Sequence, residues 1–138
     1  MTAAPLPPAP FRHRLRVYWE DTDAGGVVFY ANYLKFFERA RTEWLRAMGF
    51  GQQALREQTG AIFIVAETRV QYRRPARLDD AIDVSVDVRE AGRASLLIAQ
   101  AAWRGDELLA EGEIRIGCVD QGTFRPVRIP TQITDRLR

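Results

Sequence analysis

Cysteine is almost missing from this chain of 138 residues, Cys118 being the single one, so no disulfide can form within it. Histidine is as scarce: His13 is the only one, and no Cys/His spacing suited to zinc is present. Lysine occurs once, at Lys35, and arginine supplies the rest of the basic complement. No apolar run approaches the ~18 residues of a membrane span. The first ten residues hold four prolines and lack both a basic start and a proline-free apolar run, so they are not expected to form a secretory signal. Neither sign of charge dominates. The 20 basic and 18 acidic residues are interspersed and leave a net charge of +2, which excludes a nucleic-acid protein held by bulk electrostatics. These absences predict a cytoplasmic protein without membrane insertion, nucleic-acid partner or metal.

What is present predicts a proline-rich disordered tail over residues 1–10 and one domain over 11–138. A hydrophobic content of 46% is enough to bury a core in a chain of this size. Phe11 to Trp19 alternates as a strand, with Leu15 and Val17 against Arg14, Arg16 and Tyr18. Glu20 to Gly26 is a loop. A helix is predicted from Ala31 to Met48, because Tyr33, Phe37, Ala40, Trp44 and Met48 recur at spacings of three and four, with Leu34 and Leu45 widening the stripe. Asn32 is the expected N-cap and Gly49 the residue just past the C-cap. A short helix over Gly51–Gln58 ends at Gly60.

Everything after Gly60 reads as strand. The segments are Ala61–Tyr72, Ile82–Arg89, Ala94–Trp103 and Leu108–Val119, with a short last element over Phe124–Ile129. Strands joined by short turns imply an antiparallel sheet, hence an α+β class. A single long apolar helix must be covered by that sheet, which is the hot-dog arrangement. A ferredoxin-like fold would need a second substantial helix among the later strands.

The chemistry concentrates in the loop. Glu20, Asp21 and Asp23 precede two glycines, Gly25 and Gly26, and the start of the long helix. A helix start offers unpaired N–H groups and the positive end of a dipole, where an oxyanion is stabilised. A carboxylate beside it can attack a carbonyl or activate water. Capping alone also explains acidic residues in such a place.

The run Val17-Tyr-Trp-Glu-Asp-Thr-Asp-Ala-Gly-Gly-Val-Val-Phe-Tyr-Ala-Asn-Tyr-Leu-Lys-Phe-Phe-Glu-Arg-Ala-Arg-Thr-Glu-Trp-Leu45 resembles the 4-hydroxybenzoyl-CoA thioesterase family of hot-dog proteins. Within it the resemblance is greatest to bacterial acyl-CoA thioesterases associated with the Tol-Pal system. It continues through Arg74-Pro-Ala-Arg-Leu-Asp-Asp80, Gly92-Arg-Ala-Ser95 and Cys118-Val-Asp120.

By that resemblance Asp23 is the catalytic aspartate. Tyr30 occupies a position that is His in many Tol-Pal-type members, and its backbone N–H polarises the thioester carbonyl. The resemblance further implies substrate contacts from Tyr18, Gly26 and Asn32, and CoA contacts from Arg93, Ser95 and Arg128. Each of these also has an ordinary structural reading: Tyr18 as a packed strand residue, the others as cap, turn or surface residues. Glu38 is a helix residue able to approach a neighbouring subunit, and Glu67 a secondary acid. Phe29, Phe36 and Phe63 are possible pocket walls or core. The implied reaction is hydrolysis of acyl-CoA, with CoA part of the substrate and no separate cofactor. The implied assembly is a homotetramer or at least a homodimer. Two rivals are a hot-dog dehydratase, which the lack of a second histidine disfavours, and a non-catalytic scaffold binding acyl carrier protein.

Overall fold

The alternating segments pair into one antiparallel sheet. In the computed structural model, which describes residues 10–137, the strands are β1 (Phe11–Arg16), β2 (Ala61–Tyr72), β3 (Ala81–Ala91), β4 (Ser95–Arg104) and β5 (Glu107–Asp120). Their order across the sheet is β1-β3-β4-β5-β2. The proline-rich tail reading falls on residues 1–9, outside the described residues, and on Pro10. β3, β4 and β5 follow one another through short turns, whereas β1 and β2 lie at opposite edges. The chain between those edges therefore has to cross the sheet, and it does so as α1 (Asn32–Ala47) and α2 (Gln52–Thr59).

The predicted stripe faces the sheet. Tyr33, Phe37, Ala40, Trp44, Leu45 and Met48 are buried, and Phe36 joins them. They pack on the inward residues of the strands: Ile82, Val84 and Val86 of β3, Leu96 and Ile98 of β4, and Ile114, Ile116 and Cys118 of β5. Each fully buried large side chain contributes about 1.5–3 kcal/mol of hydrophobic transfer, so this stripe is the main source of the helix's stability. α1 lies against β1, β3 and β4, and α2 lies against β2. The edge of β2 from Ile64 to Arg69 is exposed. Among the described residues no helix is long and apolar enough to cross a membrane.

The structure corrects several expectations. β1 stops at Arg16 rather than Trp19, because Val17 turns its N–H to the Asp80 carbonyl at 2.9 Å and the chain then coils into a 3-10 turn over Trp19–Asp21. Asn32 is not the N-cap: that position is Ala31, and the Asn32 side chain reaches sideways instead. Leu34 does not widen the buried stripe, being 42% exposed on the far side of the helix. Phe36 is fully buried in the core. Phe124–Ile129 runs back along β5 with a bridge from Pro126 to Val119, and a short α3 (Thr131–Thr134), not foreseen in the sequence, follows with Ile133 buried.

Candidate active site

The acidic loop is built as a small hairpin. The Asp23 N–H donates to the Val27 carbonyl at 2.9 Å, and the Gly26 N–H to the Asp23 carbonyl at 3.0 Å. Thr22 bridges Val28. Gly26 closes the turn at φ 80°, a left-handed conformation in which glycine is unstrained. Asp23 Oδ1 accepts the Gly25 N–H at 2.8 Å, a local turn bond typical of Asp and Asn. Oδ2 has no hydrogen-bond or ion-pair partner among the described residues, and the side chain is exposed.

Asp21 plays a different part. It is 5% exposed, and its Oδ2 accepts the Tyr18 N–H at 2.8 Å. Its carbonyl accepts the Phe29 N–H and Asn32 Nδ2, both at 2.9 Å. Asn32 thus ties the first turn of α1 to the strand-side end of the loop. Tyr18, Trp19 and Glu20 are exposed at the loop's entrance.

The helix start sits on the β2–β3 connection. The Val28 N–H donates to the Ala76 carbonyl at 2.9 Å, and the Ala76 N–H donates to the Tyr33 hydroxyl at 3.1 Å. The Asn32 N–H donates to the Phe29 carbonyl at 2.8 Å. Among the described residues the N–H groups of Tyr30 and Ala31 meet no acceptor. Tyr30 is 63% exposed, and among the described residues its hydroxyl meets no hydrogen-bond partner, while its carbonyl accepts the Tyr72 hydroxyl at 3.0 Å. A cavity of about 280 Å³ opens here, walled by Val28, Tyr30, Tyr33, Tyr72 and Pro75 with Arg73 and Arg74 at its rim.

Under this connection lies a charged clamp that the sequence did not reveal. Arg104 of β4 donates to Asp80 Oδ2 at 2.7 Å and to the Pro75 carbonyl at 3.3 Å. Burial pushes the Asp80 carboxyl up, but the Arg77 N–H and the Arg104 guanidinium outweigh it and hold it below the usual carboxylate range.

Arg93, Ser95 and Arg128 are brought together, but elsewhere. The Gly92 N–H donates to the Ser95 carbonyl at 2.8 Å, and the Ile129 N–H to the Arg93 carbonyl at 2.7 Å, which sets Arg128 beside the β3–β4 turn. Tyr72, at the loop's end of the sheet, is in register with Ala110, and Ala110 with Ala102. Ser95 lies seven residues back along β4, roughly 20–25 Å at strand rise. One chain therefore presents the acidic loop and the Arg93–Arg128 corner at opposite ends of the sheet.

Between them, at the β2 edge, is a second cavity of about 170 Å³ lined by Phe63, Leu96, Ile98, Glu38 and Arg41 among others. Arg41 donates to Gln100 Oε1 at 2.9 Å. Gln100, 2% exposed, donates its own amide to the Phe37 carbonyl at 3.0 Å and the Ser85 carbonyl at 3.3 Å. Burial draws the Arg41 pKa down, with Glu38 opposing. The available signal was Gln100 itself, a polar residue at an inward position of β4 between Ile98 and Ala102. Glu38 accepts the Thr42 hydroxyl at 3.2 Å, and Glu67 sits exposed beside a bulge in β2.

A sheet laid over one long helix, with its strands in this order, is the hot-dog fold. The thioesterase-like superfamily matches over residues 17–137, and the chain belongs to it. It is a thioester hydrolase. Among its relatives, an acyl-CoA thioesterase, YbgC, of Haemophilus influenzae is 43% identical over 123 residues, covering 89% of this chain and 90% of the relative. An acyl-CoA thioester hydrolase, YbgC, of Escherichia coli is 44% identical over 129 residues, covering 93% and 96%. The crystal structure of a probable thioesterase from Bartonella henselae superposes with a TM-score of 0.84 at 31% identity, covering 88% of this chain and 100% of that one. A hypothetical protein from Aquifex aeolicus gives 0.87 at 29% identity, covering 94% and 100%.

Proposed function

We propose that this protein hydrolyses acyl-CoA, taking acyl-CoA and water to the free carboxylic acid and CoA. The observation that carries the reading is one short loop holding both an exposed carboxylate, Asp23, and two amide N–H groups, those of Tyr30 and Ala31, with one Asp23 oxygen and both N–H groups without a partner among the described residues. Asp23 takes a proton from water as it attacks the thioester carbon, or attacks that carbon itself to give a mixed anhydride that water then opens. In either route the C–S electron pair leaves with the CoA sulfur, which takes up a proton. The carbonyl oxygen, negative in the transition state, faces the N–H groups. CoA enters as part of the substrate, and these steps use no separate cofactor. The names of the YbgC relatives support acyl-CoA as the substrate, and the sequence resemblance supports kinship with the Tol-Pal-associated branch. The site of action is the cytoplasm, where CoA esters are made and used.

The active unit is at least a homodimer, with a homotetramer as the full assembly. Arg93, Ser95 and Arg128 hold CoA, yet lie far from Asp23 in one chain. Antiparallel pairing of two β2 edges reverses one copy against the other and carries its loop toward its neighbour's Arg93–Arg128 corner. Tyr18, Gly26 and Asn32 shape the loop side of the substrate cleft.

A thiol-release screen over CoA esters of graded chain length, with benzoyl and 4-hydroxybenzoyl esters, tests the reading. Turnover of at least one ester, lost in Asp23→Asn, is expected. No turnover across the panel would overturn it. Faster hydrolysis of thioesters carried on acyl carrier protein would make that protein the natural partner.

A further inference from the structure

Tyr72 closes β2, and its hydroxyl leaves the sheet to reach the backbone before α1. We infer that Tyr72 is a positioning residue for carbonyl activation: its hydroxyl fixes and polarises the Tyr30–Ala31 peptide, so that the Ala31 N–H joins that of Tyr30 as a second donor to the thioester oxygen. The inference rests on the thioester-hydrolase reading of this site.

The carbonyl and N–H of a trans peptide point in opposite directions, so whatever anchors the carbonyl aims the N–H. The Phe29–Tyr30 peptide is anchored by the Asn32 N–H on the Phe29 carbonyl at 2.8 Å. That leaves the Tyr30 N–H aimed and free. The Tyr30–Ala31 peptide has weaker help from its own helix, because the Tyr33 N–H is 3.4 Å from the Tyr30 carbonyl, beyond the usual N–H···O range. The Tyr72 hydroxyl, at 3.0 Å, is its main anchor. A hydrogen bond to a peptide carbonyl also draws electron density from its nitrogen and strengthens the N–H as a donor.

Tyr72 is itself held. Its ring packs edge-on to Tyr33 at 5.4 Å and to Tyr30 at 6.1 Å, and the Tyr33 hydroxyl is pinned by the Ala76 N–H. All three rings line the cavity beside the helix start. Burial, with Tyr30 and Tyr33 adding to it, moves the Tyr72 pKa up, so the hydroxyl stays protonated and able to donate. Its only hydrogen-bond acceptor among the described residues is the Tyr30 carbonyl. Tyr72→Phe therefore removes one anchor and keeps the ring packing and the strand pairing with Ala110.

The test uses the full chain and the ester that the screen ranks first, labelled with ¹³C at its carbonyl. Tyr72→Phe is expected to lower kcat about tenfold with KM within about twofold and an unchanged melting temperature. In the Asp23→Asn background, infrared difference spectra should show the thioester band shifted to lower frequency on binding, and shifted less when Tyr72→Phe is added. Wild-type kcat in Tyr72→Phe, or a rise in KM alone, would overturn the inference. So would a band shift that Tyr72→Phe leaves unchanged, though the reading of the site would then survive. No shift at all in Asp23→Asn would overturn both.

Discussion

At the scale of single residues, burial separates the acids of the loop: Asp21 is turned inward onto the Tyr18 N–H, while Asp23 is exposed and spends one oxygen on the Gly25 N–H. Asn can accept both of those bonds, so neither Asp21→Asn nor Asp23→Asn should unfold the loop. Asp23→Asn should nevertheless lose at least ~10²-fold in kcat, because an amide neither takes up a proton nor attacks a thioester. Asp21→Asn should stay within a few-fold. Asp21→Ala deletes a buried acceptor and should cost about 1 kcal/mol of stability, read as a lower melting temperature. Equal kcat losses from Asp21→Asn and Asp23→Asn would show the loop acting as a charge cluster. The same scale bears on Tyr30. Among the described residues its hydroxyl has no hydrogen-bond partner, and the residue is largely exposed, so Tyr30→Phe should keep most activity. Tyr30→Pro deletes the N–H and should lose ~10²-fold or more, with circular dichroism checking that α1 survives. A collapse in the Phe variant would instead make the phenol a proton donor.

At the scale of elements, what holds the loop is the β2–β3 connection, and what holds that connection is Arg104. Val28 and Tyr33 both bond to Ala76, and Arg104 bonds to Pro75 and Asp80 on either side of it. Asp80 titrates below the ordinary carboxylate value because its partners outweigh its burial. Its stabilising share is therefore complete above the unfolded value of about 3.9 and is lost as pH falls through the lower folded value. Asp83, held down by Arg14, adds to the same acid limb. Arg104→Gln should lower stability at neutral pH and flatten the fall below about pH 4, measured by urea unfolding at several pH values. An acid limb identical to wild type would remove Asp80 from this account.

Elements were legible in the sequence where their cause is local. The three-and-four spacing of Tyr33 to Met48, and the alternation of Ile82 to Val88, are set by helix and strand geometry, and both hold. Asn32 was misjudged because its surroundings come from a distant segment: its amide Nδ2 donates to the Asp21 carbonyl eleven residues upstream, which turns the side chain away from the helix start where a cap's oxygen would accept an N–H. The loop that exposes Asp23 and the helix start that leaves the Tyr30 N–H without an acceptor were legible as an acidic, glycine-bearing loop before a helix; their catalytic roles come from the motif it resembles and stay proposals. Tyr72 and Arg104 were not legible, because each acts through a partner at least 24 residues away, and Gln100 showed only as a polar residue at an inward strand position, its partner Arg41 lying 59 residues off.

At the scale of the whole molecule, the sheet has two edges unpaired among the described residues, and β2 presents the longer one. A dimer or tetramer is expected by light scattering at micromolar concentration, and a monomer with full activity would contradict the assembly. The separation of Asp23 from Arg93 and Arg128 along the sheet carries a genetic consequence. If each site takes its acid from one copy and its CoA corner from the other, then two crippled proteins can rescue each other. Asp23→Asn and an Arg93→Ala, Arg128→Ala double variant, unfolded and refolded together, would form mixed pairs. Each such pair assembles one site from two undamaged halves and one from two damaged halves. Random pairing makes about half the dimers mixed, so about a quarter of wild-type activity should return at low substrate concentration, from two parents that each have little. Activity no higher than the average of the parents would mean that each copy works alone.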